Sequence, residues 1–269
     1  MENAMSATQY SLAELMICAN ASIYADDGEI LVTGIGVLPR IAASLAMKTC
    51  NTDIMMTDSE AWILSEPNPV GPRPENFQQQ NESWMGFSRI FDNVWSGKRH
   101  ITGGPTQMDR YGQSNISAIG GTHAKPKVQM LGARGFPGNS ICHANSFMVP
   151  AHSNRVFVET ECDMVCTIGY NPQRLPRGYV MDDIDLRKVI TDLCVMDFGG
   201  PDHQMRVVSL HPGISVEQVV ENTGFELAIA ADLPTTAAPT QAQLALIAVL
   251  DPHQLRAKQL RDNPVGYRS

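Results

Sequence analysis

A chain of 269 residues, 43% hydrophobic and 18% charged, has an ordinary globular profile and is long enough for a substantial core in one large α/β domain or two small ones. Its formal net charge of -8 argues against nucleic acid as the main partner, so a polyanionic ligand would need a locally basic site or one supplied by another chain. There is no apolar run of the ~18 residues a membrane-spanning helix needs, no signal peptide at Met1, and no CxxC pair among the six cysteines, which predicts a cytoplasmic protein with reduced thiols.

The first predicted element is a helix. Ser11 and Glu14 have capping-box spacing, and Leu12, Leu15, Met16, Ala19 and Ile23 follow at helical intervals until Asp26, Asp27 and Gly28 end it. Cys18 in this stretch and Cys194 further on read as small core residues. Glu29 to Thr33 is a short apolar strand, Gly34-Ile35-Gly36 its exit turn, and Pro39 suits the first turn of a helix running to about Lys48. Asp53 to Thr57 is a second strand, and this order predicts a parallel sheet with a right-handed crossover.

From Leu64 to Glu82, Pro67, Pro69, Pro72 and Pro74 with glutamines at 78 to 80 exclude regular structure. A loop that long in a compact domain is usually functional or interfacial. Further strands are expected at Ile101, Val128 to Leu131, Arg155 to Val158, Val189 and Ile190, Leu193 to Met196, and Arg206 to Leu210. Helices are expected at Asn139 to Met148, Ser215 to Asn222 and Thr240 to Leu250. The last two open with the capping boxes Ser215/Gln218 and Thr240/Gln243. With no internal repeat, a single α/β domain over residues 1–269 is the economical reading.

Two loops carry the chemistry. Gly103 to Ser117 crowds Gln107, Asp109, Arg110, Tyr111, Asn115 and Ser117 between glycines, too polar for a strand or helix, and must satisfy its own backbone through side-chain bonds. Asp109, Arg110, Tyr111 and Asn115 read as loop stabilisers, and Gln107 as the ligand-facing candidate. Gly132 to Asn139 has glycines at 132 and 135 that let a backbone approach a ligand, or serve a strand-to-helix turn. His123 and His143 flank these loops. His203 and His211 read as turn residues, and Lys125 and Lys127 as exposed cations able to meet phosphates. Gly34-Ile35-Gly36 is no dinucleotide fingerprint, because Pro39 stands where the third glycine would be.

Taken in order, these features resemble the β subunit of class I CoA-transferases: Gly34 to Gly36, Gly103 to Ser117, Gly132 to Asn139, Arg155 to Val158, Val189 to Leu193, His211 to Gly213, Glu221 to Phe225, and Asp251 with Pro252. Thr57 to Ala61, Asp109 to Gly112, Arg134 to Gly138 and Asp197 to His203 resemble the branch of that family that opens the last rings of steroids. The resemblance covers about the full length. It implies an α/β fold with an open, mostly parallel sheet flanked by helices, and an α subunit as obligate partner in an α2β2 complex. It also implies an acyl-CoA substrate, with CoA part of the substrate, and no separate cofactor or metal. The implied reaction is hydrolytic C–C cleavage of a cyclic diketone, or in the alternative CoA transfer between carboxylic acids.

The resemblance also implies site residues. In the family the second loop offers backbone N–H groups to the thioester oxyanion, which makes Gly132, Gly135, Phe136 and Asn139 substrate-binding candidates. Arg134 replaces one glycine of the usual pattern and would place a forked cation beside the reacting carbonyl. Class I transferases use a glutamate nucleophile. Glu60 is the candidate here, yet it falls one residue past the family position, at which Ser59 stands, and lacks the usual following glycine. The reactive glutamate would then come from the partner. Half a site of this kind predicts an obligate complex with at least ~2,000 Å² buried per interface, and the other possibility is a non-catalytic subunit that serves assembly alone.

Overall fold

The computed structural model describes residues 9–58 and 61–260. Its centre is one seven-stranded sheet: β1 (Leu31–Gly34), β2 (Arg99–Gly103), β3 (Ala144–Val149), β4 (Leu186–Thr191), β5 (Cys194–Asp197), β6 (Arg206–Leu210) and β7 (Ala228–Ile229), in that spatial order. The first four strands run parallel, β5 and β6 pair antiparallel, and β7 returns parallel to β6. Among the described residues six α-helices accompany it: α1 (Leu12–Ala21), α2 (Val37–Lys48), α3 (Phe87–Trp95), α4 (Phe136–Cys142), α5 (Val216–Glu221) and α6 (Gln241–Leu250).

Successive strand residues point to opposite faces, and that alternation sorts the interior into two cores. Met148, Ile190 and Val195 enter one core, filled from α1, α2 and α6. Their chain neighbours Phe147, Val149, Val189, Cys194 and Met196 enter the other, with Met108, Phe157, Tyr170, Phe198 and Phe225. Covered on both faces, the central strands lose the apolar–polar alternation of a surface strand. Cys18 and Cys194 are buried as expected.

The three capping boxes form: Ser11, Ser215 and Thr240 each accept from the backbone N–H three residues on. An N-cap of this kind is worth about 1 kcal/mol. Pro39 sits in the first turn of α2, as its missing N–H allows.

Several elements differ from those the sequence predicts. Asn139 to Met148 is not one helix: α4 ends at Cys142, and all six residues of β3 are buried at the sheet's centre. A short apolar run bounded by polar residues fits a buried helix and a buried strand equally well, and burial between two parallel neighbours decides for the strand. Asp53 to Thr57 meets β1 in parallel only at Met55. Thr57–Asp58 then joins a small antiparallel sheet with Trp62–Leu64 and Asn81–Trp84, so the irregular segment narrows to 65–80. Arg155 to Val158 makes a single bridge, Phe157 to Met108. The strand near Val128 is Lys125–Gln129, in an exposed hairpin with Ala118–Thr122 and outside the main sheet. Among the described residues no helix is long and apolar enough to cross a membrane.

Candidate active site

The carboxyl end of β2 feeds the first of two loops, and the second follows the 118–129 hairpin. The first, 103–117, is held by its own side chains. Asp109 accepts from Tyr111 N (3.0 Å), Gln113 N (3.0 Å) and Gln113 Nε2 (2.8 Å). Burial nevertheless pushes its carboxyl up to about 6. The guanidinium of Arg110 lies 6.0 Å over the ring of Phe225. Gln107–Met108 pairs with Ser114–Asn115, so a segment too polar on paper for a strand forms a two-rung hairpin.

Gln107, the ligand-facing candidate, turns into its own loop and is not among the residues that line the cavity beside α4. It is buried; its Oε1 accepts from Asn115 Nδ2 (2.7 Å) and Asp163 N (3.2 Å), and its Nε2 donates to Asp163 Oδ2 (3.1 Å). A buried amide must satisfy both ends, and this loop supplies the partners.

The second loop is the turn into α4. Gly132 has φ 84°, Arg134 has φ 50°, and Gly135 caps the helix. The ring of Phe136 packs against Gly103, where an added Cβ would stand 3.2 Å from it, so that glycine lets the turn dock on the end of β2. Gly34 is likewise a packing glycine, since a Cβ there would overlap the carbonyl of Pro39.

Between this turn and α3 lies a cavity of about 510 Å³. Ile90, Phe91, Val94 and Trp95 of α3 form one wall; Arg99 and Ile101 of β2 form the floor. Arg134, Gly135, Phe136, Gly138 and Asn139 close the other side, and Ile35, Gly104, Ile116 and Leu131 complete the rim. The structure thus gathers Arg134, Gly135, Phe136 and Asn139, with Gly132 supplying the turn beside them. Glu60 lies outside the described residues. Two features had gone unread in the sequence. The α3 wall had a signal, because Phe87, Phe91 and Trp95 recur every four residues, the spacing of one helix face. Arg99 had none.

His143 stands behind Asn139. Burial lowers its pKa from 6.5 to about 4, so the ring is neutral. Nδ1 donates to the Ala144 carbonyl (2.9 Å), which leaves Nε2 as acceptor. The structure sets Asn139 Oδ1 3.1 Å from Nε2, where two acceptors face each other unless the Asn139 amide turns its NH2 to the ring. His123 falls in the exposed turn of the 118–129 hairpin, between its two strands. Lys125 and Lys127 lie in the second strand of that hairpin.

A second buried histidine, His152, is lowered to about 3 by desolvation and sits between Thr191 Oγ1 (3.0 Å) and Thr223 Oγ1 (2.9 Å). Both rings are neutral in the fold and charged in the unfolded chain below about pH 6.5. Their stabilisation is complete above that pH and is lost progressively as pH falls from about 6.5 towards the depressed values. Asp109, raised, works the other way. At pH 5 each histidine costs about 2 kcal/mol relative to pH 7, and Asp109 returns about 1 kcal/mol. Urea unfolding of the assembled protein at the two pH values is expected to show a net loss of about 3 kcal/mol; equal stability would contradict these assignments.

No family model matches the sequence. The chain is 42% identical to the cholesterol ring-cleaving hydrolase IpdB subunit of Rhodococcus jostii strain RHA1, over 94% of this chain and 97% of the relative. It is 40% identical to the subunit of the same name from Mycobacterium tuberculosis strain H37Rv, over 93% and 98%. It is 30% identical to one of the subunits of the 3-oxoadipate CoA-transferase of Pseudomonas knackmussii, over 90% and 94%. Among solved structures, IpdAB of Rhodococcus jostii RHA1 superposes with a TM-score of 0.85 at 40% identity, over 94% and 99% of the two chains.

Proposed function

The chain belongs to the CoA-transferase family, in its branch of ring-cleaving hydrolase subunits, and we propose that it is the β subunit of a heteromeric hydrolase opening the last ring of a steroid-derived cyclic diketone carried as a CoA thioester. One observation carries this reading. Arg134 is a non-glycine residue held in the left-handed region, φ 50°, where the family pattern has glycine. An L-residue pays about 1–2 kcal/mol for that conformation. The chain has kept glycine's geometry in the turn and added a cation at the edge of an apolar cavity.

Water adds to a ring carbonyl that lies β to the thioester; the tetrahedral oxyanion collapses with cleavage of the bond to the carbon between them, the attacked carbon becoming a carboxylic acid and the other leaving as the enolate of the CoA thioester. Protonation of that enolate completes a reaction with no net redox change. Arg134 and nearby backbone N–H groups stabilise the oxyanions, and the α subunit supplies the reactive glutamate. CoA enters and leaves as part of the substrate, so the chemistry asks for no metal or redox cofactor. The apolar α3 wall suits a hydrocarbon ring better than a small carboxylic acid. The working form is an α2β2 complex in the cytoplasm, in keeping with cysteines that are all free thiols.

The transferase alternative puts an acyl-glutamyl and then a glutamyl-CoA intermediate on Glu60. Borohydride reduction of the complex during turnover, followed by peptide mapping, is expected to leave the β chain unmodified. A reduced Glu60 would establish transfer chemistry in its place.

A further inference from the structure

We propose that Arg40 and Arg73, beside the start of α2, form an anion site that takes a phosphate group. The site shares no lining residue with the cavity between α3 and α4. Two sources offer that chemistry: free inorganic phosphate or diphosphate, and the nucleotide end of an acyl-CoA, which alone rests on the proposed function.

A second cavity, of about 380 Å³, lies between the first turn of α2 and the irregular segment 65–80; Gly34, Gly36, Arg40, Asp58, Asn68 and Arg73 are among the residues that line it. Arg40 belongs to α2, and its side chain is only 20% exposed. Its Nη1 donates to the Thr57 carbonyl (2.7 Å), which anchors the guanidinium. Its Nη2 is buried without a hydrogen-bond partner, one of only two such side-chain atoms among the described residues. Asp58 Oδ1 stands 3.9 Å from that nitrogen, beyond hydrogen-bond reach. Asp58 Oδ2 is taken by Arg73 Nη2 (2.6 Å) and Asn68 Nδ2 (2.7 Å). Elsewhere the protein closes such forks: Arg187 with Asp27 and Asp185, Arg206 with Asp197, Arg256 with Glu14 and Asp251.

Among the described residues of this lining, two guanidiniums meet one carboxylate, and the start of α2 adds about half a positive charge. Gly36, the N-cap at φ 108°, offers no side chain to the N–H groups of the first turn. Loss of water lowers the pKa of Arg40; Asp58 offsets part of this, and the neighbouring Arg73 adds to it. A buried guanidinium N–H is costly until an acceptor meets it. A phosphate group brings one to two negative charges and three acceptor oxygens, enough to serve both forks and the helix end together. A carboxylate, with one charge and two oxygens, is the poorer occupant. Lys125 and Lys127 are exposed on their hairpin, where a phosphate would stay hydrated and gain little. The long segment 65–80 thereby acquires a role, since Asn68 and Arg73 form the far wall of the site.

Calorimetry on the purified αβ complex tests this with three probes. They are a non-reactive cyclohexane-carbonyl thioester of CoA, the same thioester of pantetheine, which lacks every phosphate, and inorganic diphosphate. Arg73 is exposed, so Arg73→Met removes one fork without disturbing the core. The variant is expected to weaken a phosphate-bearing probe about 10- to 100-fold, the usual range for losing a hydrogen-bonded charge partner, and to leave the pantetheine thioester unchanged. A loss for the CoA thioester identifies the nucleotide as the source, and a loss for diphosphate alone identifies free phosphate. Unchanged binding of both phosphate-bearing probes, or equal weakening of the CoA and pantetheine thioesters, would overturn the assignment. If Arg73→Met fails to assemble, Arg40→Lys keeps the charge but loses the fork, and a smaller loss confined to the phosphate-bearing probes is expected. Because binding is read without turnover, a complex that binds as expected but opens no ring would sink the proposed reaction and leave the anion site standing.

Discussion

Replacing Arg134 by alanine in the assembled complex is expected to lower kcat by about 100- to 1,000-fold, the range measured when one preorganised oxyanion donor is removed. The substrate KM should change little, since the interaction is made to charge that develops in the transition state. The side chain is exposed and makes no ion pair among the described residues, so the loss cannot be put down to unfolding. Arg134→Gly sharpens the test. It restores the residue type that a φ of 50° favours and should leave the fold at least as stable, by up to about 1 kcal/mol, while activity falls as far as in the alanine variant. Stability and activity would then move in opposite directions. A glycine variant with full activity would show that Arg134 takes no part, and would favour a subunit that serves assembly alone.

The second large effect is dependence on the partner. Phe87, Phe91 and Trp95 are 61%, 64% and 68% exposed along one side of α3, and Leu131 across the cavity is 73% exposed. An apolar stripe of this size on a lone chain marks an interaction surface or an aggregation hazard. The same helix walls the cavity, so a subunit that covered the stripe would also close the site. Produced without the α subunit, the chain is expected to aggregate or to stay inactive, and co-expression should restore a soluble complex with at least ~2,000 Å² buried per interface. Size-exclusion chromatography of the two preparations decides. A soluble, monomeric, active single chain would contradict the two-subunit account.

How much of this was legible in the sequence depends on how local each signal is. The capping boxes at Ser11, Ser215 and Thr240 were readable because a cap is a bond between residues three apart. The strand 144–149 was not, because burial on both faces erases the alternation that identifies a strand. Gln107 looked like a ligand contact because a polar side chain in a glycine-rich loop is the right chemistry; what it binds is Asp163, fifty-six residues away, which no local pattern reveals. Arg134 was readable only against the family pattern, and the structure adds its left-handed backbone. Arg99 was invisible because an arginine at the start of a strand usually faces water or an acid. Only the folded arrangement leaves it in a cavity without one.

Hydrolytic C–C cleavage leaves its mark in the oxygen of the new carboxylate. The co-expressed complex, given the CoA thioester of a cyclic 1,3-diketone in 18O-labelled water, should form a ring-opened product with one labelled oxygen in its new carboxylate and the thioester intact. Release of free CoA with label in the thioester-derived acid, or transfer of CoA to an added carboxylic acid with the ring still closed, would contradict it.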